Sequence, residues 1–196
     1  ISMIYKLKKI TFLIFGLSIY TFIVGCSVKS PIYQSDNNLS NKLNNYELQT
    51  VNVEKTYNGN LINSDKIALR GANLVSSYGG NFQDYLEESL KIQLSQNDLY
   101  DTKSDVTIKT ELLLNNVSIW GFSEANYNIS AKFIINKKGK IVYETTKTII
   151  HNFPSHFVGQ IAIERGIDNY PIAIKKLIAS FLNDNYILEI LKSDKK

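Results

Sequence analysis

Apolar and polar residues alternate along residues 127–135, so that Tyr127, Ile129, Ala131, Phe133 and Ile135 fall on one side of an extended chain. The same period of two runs through 106–114, with Val106, Ile108, Leu112 and Leu114 set against Thr107, Lys109, Glu111 and Leu113. Lys137-Lys138-Gly139-Lys140 then reads as a hairpin turn, with Gly139 available for positive φ, and residues 141–150 as the antiparallel return. Upstream, 46–53 is a strand candidate with Val51 and Val53 on one face, and 66–74 a second extended piece. Between these groups the period becomes helical. Phe82, Leu86, Leu90 and Leu94 recur every fourth residue beside Tyr85, while Glu87, Glu88, Lys91 and Gln93 stay polar. Asn81 offers a cap and Asp84 the acid three residues on, after a turn at 76–80. A second helical stripe covers 161–182 through Ile163, Ile167, Tyr170, Ile174, Leu177, Ile178 and Phe181. Pro171 inside it predicts a kink or two abutting helices. Asn183-Asp184-Asn185 ends that stripe, a short apolar turn spans 187–191, and 192–196 is expected to fray. The order β-α-β-β-β-α predicts an α+β fold, a mixed, mainly antiparallel sheet with two helices on one face.

The chain opens differently. Lys6, Lys8 and Lys9 precede residues 10–24, which are apolar apart from Thr11, Gly16, Ser18 and Thr21. This is signal-peptide grammar, with Met3 as the start, and an apolar stretch of about 15 residues falls short of the roughly 20 of a permanent span. Setting the three leader lysines aside lowers the apparent basicity, because the rest of the chain holds 19 basic and 18 acidic residues. So balanced a domain lacks the Lys and Arg excess that meets nucleic-acid phosphates, and no nucleic-acid partner is expected. Cys26 is the only cysteine. It can form no intramolecular disulfide and no Cys-based zinc or redox motif.

Ile23-Val24-Gly25-Cys26 resembles the bacterial lipobox. The resemblance implies diacylglyceryl transfer to the Cys26 sulfur, cleavage after Gly25 and acylation of the new amino group, giving the two or more chains that stable anchoring takes. Ser27 stands where the inner-membrane retention signal of Gram-negative sorting has Asp, which implies delivery to the outer membrane with the domain facing the periplasm. Residues 27–45 are polar, carry Pro31 and read as a tether, about 25 Å long on average and at most about 65 Å when extended. The expected organisation is a signal peptide over 1–25, a lipidated cysteine and flexible tether over 26–45, and one periplasmic domain over 46–196.

Candidate chemistry in the domain is sparse. His151 and His156 flank Asn152-Phe153-Pro154-Ser155, and a metal site would need a third ligand such as Glu164. Ser155 beside His156 is adjacency in sequence, without a Gly-x-Ser-x-Gly elbow. Glu87 and Glu88 point about 100° apart on a helix and cannot share a substrate as a glycosidase pair does. Gly79-Gly80 before a helix lacks the Lys-Ser or Lys-Thr of a P-loop. No catalytic residue, metal or cofactor is expected. Aromatic residues are the better candidates: Trp120 and Phe122 flank Gly121 between two strands, and Phe153, His156 and Phe157 follow the last strand. Rings in Gly- or Pro-containing loops either cap the core or form a patch for a partner or ligand.

The stretches Ile67-Ala68-Leu69-Arg70-Gly71-Ala72, Phe82 to Leu94, Ser155-His156-Phe157-Val158-Gly159-Gln160-Ile161-Ala162-Ile163 and Asn169-Tyr170-Pro171 are together similar to a family of largely uncharacterised Gram-negative outer-membrane lipoproteins. YajG-like lipoproteins belong there, and by element order the auxiliary lipoproteins of envelope lipid-transport and assembly machines resemble it distantly. The resemblance spans roughly residues 46–190 and implies a noncatalytic adaptor or assembly factor with an envelope protein partner. A lipid-, glycan- or peptidoglycan-binding lipoprotein is the alternative, and an enzyme ranks below both. Oligomeric state is not legible in the sequence.

Overall fold

The computed structural model describes residues 26–56 and 61–193. The leader, residues 1–25, lies outside them. In chain order the elements are β1 (Cys26–Lys29), α1 (Asn37–Leu43), β2 (Asn52–Lys55), β3 (Lys66–Leu69), β4 (Ala72–Val75), α2 (Phe82–Ser95), β5 (Val106–Ser118), β6 (Glu124–Lys137), β7 (Lys140–Pro154), α3 (Gly159–Leu182) and α4 (Asn185–Leu191). The fold is α+β, as the sequence predicts, but its strands divide into two sheets, ordered β1-β4-β3 and β2-β5-β6-β7.

The three alternating runs make the long antiparallel ribbon β5-β6-β7. Their apolar sides bury Ile108, Leu112, Tyr127, Ile129, Ala131, Phe133 and Ile135. A β-bulge shifts the register between Leu112 and Leu114, and the inward parity changes there. Asn115 is buried instead of Leu114, which the uninterrupted alternation would have placed inside. Where parallel partner β2 stops at Lys55, the buried Gln83 amide takes over the β5 ladder. Gln83 Nε2 donates to the Thr110 carbonyl (3.1 Å) and Oε1 accepts the Leu112 N–H (2.6 Å). Lys138 and Gly139 turn the β6-β7 hairpin with φ of 52° and 78°, both positive as a two-residue type I′ turn requires.

Asn81 caps α2 as its sequence suggests, its Oδ1 accepting the Asp84 N–H at 2.8 Å. The α3 stripe is one helix of 24 residues and not two, with Pro171 inside it. Proline donates no hydrogen bond there, yet Tyr170, Ala173, Ile174, Leu177, Ile178 and Phe181 are buried on both sides of it, and that packing holds the helix together. Phe133 stacks on Phe181 with ring centroids 4.1 Å apart. A chain of rings, Tyr78, Tyr85, Tyr170, Tyr127 and Phe153, crosses the core in successive contacts of 5.2 to 5.4 Å. Of the residues expected to fray, 192 and 193 do not, because Lys192 bridges to Leu48 and Ser193 donates to the Glu47 carbonyl, while 194–196 lie outside the described residues.

The largest departure from expectation concerns residues 27–45. They are folded onto the domain. β1 runs parallel to β4 in the register Cys26 to Ala72 through Lys29 to Val75. Tyr33, Leu39 and Leu43 are buried in the common core, and the Tyr33 hydroxyl donates to Gln93 Oε1 at 2.9 Å. Asp36 caps α1 by accepting the N–H groups of Asn38 and Leu39, and Asn97 of the α2 end donates to the Ser40 carbonyl at 2.8 Å. Strand pairing, three buried apolar side chains and a capped helix turn together fix a segment whose average polarity reads as a tether. The folded domain therefore takes in residues 26–45 and does not begin at Tyr46. Among the described residues no helix is long and apolar enough to cross a membrane.

Candidate functional site

Arg70 occupies the turn between β3 and β4. Its φ of 42° and that of 102° at Gly71 give another pair of positive values in a two-residue turn closed by the Leu69–Ala72 pair. This geometry aims the guanidinium at two distant loops. Nε donates to the Ile119 carbonyl (2.7 Å), Nη2 to the Gly121 carbonyl (2.6 Å) and Nη1 to the His156 carbonyl (2.6 Å). Hydrogen bonds from a cation are about twice as strong as neutral ones, and the planar fork fixes direction as well as distance. The β5-β6 connection, 119–123, and the β7-α3 connection, 155–158, are thus held as one unit. Ser155 N–H donates to the Ser123 carbonyl (2.8 Å), and Arg165 Nη1 to the Ser155 carbonyl (2.6 Å).

Two glycines permit the close packing beneath this unit. A Cβ on Gly121 would lie 2.3 Å from the Glu124 carbonyl oxygen, so the turn carrying Trp120 and Phe122 requires glycine. In α3, a Cβ on Gly166 would meet Ile119 Cδ1 at 2.8 Å and Leu69 Cδ2 at 3.3 Å. The helix approaches β3 and the base of the loop because that side chain is missing.

On this clamped base the rings divide. Trp120, Phe122 and Phe157 are 74%, 77% and 70% exposed, and Val158 beside them is also exposed. His156 is half-buried and stacks on Phe157 with centroids 4.6 Å apart. Phe153, expected in the same patch, is only 4% exposed. It lies in β7, in phase with the inward-facing His151, and stacks on Tyr127 at 5.4 Å, so it belongs to the core. The sequence reasoning missed Arg70 as the organiser. Its stretch is conspicuous in the chain, but its partners are backbone carbonyls, which leave no mark in a sequence.

Cys26 belongs to the same end. It is exposed, and β1 places it opposite Ala72, two residues beyond Arg70. Ser27, next along β1, pairs with Asn73. The start of β1 thus lies beside the Arg70-Gly71 turn, whose guanidinium reaches both aromatic loops.

The two histidines have separate structural duties. His151 is buried; Nε2 meets Asn169 Oδ1 at 2.9 Å, and Nδ1 meets Lys176 Nζ at 2.8 Å. Burial pushes its pKa below the usual imidazole value and the Lys176 charge adds to this, against the opposing Asn169 hydrogen bond. A neutral ring with the proton on Nε2 satisfies both partners, donating to Asn169 and accepting from Lys176. His156 Nδ1 accepts the Val158 N–H at 3.0 Å. Ser155 is buried and its hydroxyl has no hydrogen-bond partner among the described residues. Serine and histidine therefore form no nucleophile–base pair in this arrangement. Among the described residues no group of three His, Cys, Asp or Glu side chains is placed to hold a metal ion. Glu87 and Glu88 both pair with Lys91, at 2.8 and 2.9 Å, and Glu87 also with Lys55 at 3.6 Å. Asp84 packs against Gly79 and pairs with Lys55, putting an acid where an anion would have to sit. Away from the tip, a shallow groove of about 250 Å³ runs between Pro31, Ile32 and Gln34 on one side and Pro171, Ile172 and Lys175 on the other.

No protein-family model matches the chain, and no curated protein matches its sequence. Solved structures do match its fold. Protein XCC0632 of Xanthomonas campestris, of the family DUF330, superposes with a TM-score of 0.52 at 12% identity, over 84% of this chain and 96% of that one. A minor lipoprotein of Acinetobacter baumannii gives a TM-score of 0.45 at 13% identity, over 77% of this chain and 99% of that one. Rare lipoprotein B of Shewanella oneidensis gives 0.43 at 10% identity, over 72% and 97%. At such identities the likeness is one of fold, and the first of the three shares this chain's α+β arrangement along nearly its whole length.

Proposed function

We propose that the chain is a bacterial lipoprotein, anchored by acyl chains on Cys26, that works without catalysis as an adaptor or assembly factor of a cell-envelope complex. The observation that carries this reading is the Arg70 clamp, which fixes three large apolar rings in solvent at one end of the fold. Single exposed apolar residues are ordinary on a protein surface, whereas rings gathered on held loops mark a surface that binds. Cys26 supports the anchor, because its side chain is exposed and open to a membrane enzyme. The lipobox resemblance and the lysine-led apolar leader support it independently, and Ser27 favours the outer membrane of a Gram-negative host. Two stretches that resemble Gram-negative lipoproteins, around Arg70 and around Phe157, are those the clamp joins.

Photo-crosslinking side chains at Phe122 on the tip and at Ile150 on the exposed edge strand β7 test the adaptor role in intact cells. A defined envelope protein captured at Ile150 is the expected result, and the Phe122 probe reports separately what meets the tip. A chain crosslinked to no protein at native abundance would defeat the reading. Binding of lipid, glycan or peptidoglycan through the same rings is the second reading, favoured by loops 119–123 and 155–158 having no Asp, Glu, Lys or Arg.

A further inference from the structure

The structure gives the tip a specific counterpart. We infer that Trp120, Phe122 and Phe157 dip into the interface of the same membrane to which residue 26 is attached, seating the domain directly on the bilayer. The inference rests on the lipoprotein reading and names what its exposed rings touch.

Acyl chains on the Cys26 sulfur lie in hydrocarbon, which holds the Cys26 backbone at the head-group layer, within a side chain's length of it. Cys26 is already a strand residue, paired with Ala72, and neighbouring strands lie about 4.8 Å apart. The segment that would have lifted the domain away is folded, with Tyr33, Leu39 and Leu43 buried. Whatever surrounds Cys26 at this end of the fold is therefore held against the membrane. The Arg70-Gly71 turn is its neighbour, and Arg70 fixes both aromatic loops.

The chemistry of those loops suits that place. Residues 119–123 read Ile-Trp-Gly-Phe-Ser and residues 155–158 read Ser-His-Phe-Val, so docking drags no Asp, Glu, Lys or Arg of either loop into low dielectric. Tryptophan is enriched at membrane interfaces, where an amphipathic ring meets head groups, and Phe supplies buried apolar area. The clamp adds preorganisation. The loop carbonyls of Ile119, Gly121 and His156 are already satisfied by Arg70 and need not be stripped of water as the rings enter. A second class of occupant, a protein groove, would also accept three rings; the position of Cys26 favours the bilayer.

Trp120 is the only tryptophan, so its fluorescence reports the tip alone. The full chain, processed and acylated in a bacterial host, would be reconstituted into phosphatidylethanolamine/phosphatidylglycerol vesicles, with or without acyl chains brominated near the glycerol end. Flotation and the mass of the Cys26 peptide establish the anchor separately. The inference expects brominated vesicles to remove about half or more of the Trp120 emission, since interfacial groups sit roughly 5–10 Å into the head-group and acyl boundary. It also expects the Phe122→Ser, Phe157→Ser double variant to lose about threefold of that quenching with unchanged Tm, because exposed rings contribute little to folding. Protein that carries the acyl mass and floats, yet gives equal emission in both vesicle types and stays open to iodide, overturns the inference and leaves the lipoprotein reading standing. Quenching unaltered in the double variant would overturn the role given to the phenylalanines. A chain without acyl mass that fails to float overturns both. Shielding of Trp120 from iodide that appears only on adding envelope proteins points to a protein groove and also overturns it.

Discussion

The long ribbon β5-β6-β7 has two ends, and they are finished in opposite ways. At one end the β6-β7 hairpin turns through Lys138-Gly139, flanked by Lys137 and Lys140, and Lys138 N–H donates to the Asp105 carbonyl at 2.9 Å. That turn is charged and exposed, and a backbone hydrogen bond ties it to the residue before β5. At the other end, uncharged loops carry exposed rings, and a side chain from a different sheet holds them through three carbonyls. The two ends use the same local device, an X-Gly pair with positive φ, at Lys138-Gly139 and Arg70-Gly71. The contrast shows that exposed apolar surface at the tip is not a by-product of ending a sheet. The chain closes the sheet with lysines where it needs only a wet turn.

The largest loss of stability is expected at the base of the tip. Gly166→Val should cost about 2–3 kcal/mol, because the branched side chain overpacks against Ile119 and Leu69; chemical denaturation measures it, and a loss below about 0.5 kcal/mol would show that α3 is free to retreat. Arg70→Ala should cost about 2 kcal/mol, and Arg70→Lys should recover little of it, since a point charge cannot serve three carbonyls in a fork. Hydrogen exchange should quicken at 119–123 and 155–158 and remain unchanged at the Lys138-Gly139 turn.

His151, on the tip-side half of β7, gives a pH signature. Its folded pKa lies below the ordinary 6.5. The native state therefore prefers the neutral ring, and this contribution is complete above about pH 6.5 and lost as pH falls through the lower folded value. Tm should drop between pH 7.5 and 5.5, and a His151→Gln variant should flatten that part of the profile. A slope indifferent to the substitution would assign the effect elsewhere. The smallest effects are expected at the exposed positions themselves: Lys138→Ala and Trp120→Ser should each change stability by no more than about 0.5 kcal/mol. Only the second should alter membrane or partner binding.

Most of the architecture was legible where the period was long and uninterrupted. β5, β6, β7, α2 and α3 follow from alternation or from every-fourth-residue stripes, and Asn81 and Gly139 mark boundaries where the structure has them. Legibility failed where one residue or one distant partner decided the outcome. A single-residue bulge turned Leu114 out and Asn115 in. Residues 27–45 hide a capped helix turn, Asp36 followed by Leu39 and Leu43, but their strand β1 finds its partner over 40 residues away in β4, which no local pattern reveals. At the site, ring type and loop context singled out Trp120, Phe122 and Phe157 without deciding between core cap and exposed patch, whereas Phe153, grouped with them, lies in phase with the buried positions of β7. Arg70 was invisible as an organiser because carbonyls carry no side-chain code.

The pairing of Cys26 with Ala72 also bears on geography. A domain on a polymer leash explores a volume and can meet partners far above the bilayer. On the proposed anchor, a domain attached through the first residue of a strand sweeps only a plane. Its encounters become two-dimensional searches among neighbours at the same height, and any complex that recruits it has to come to the membrane surface to do so.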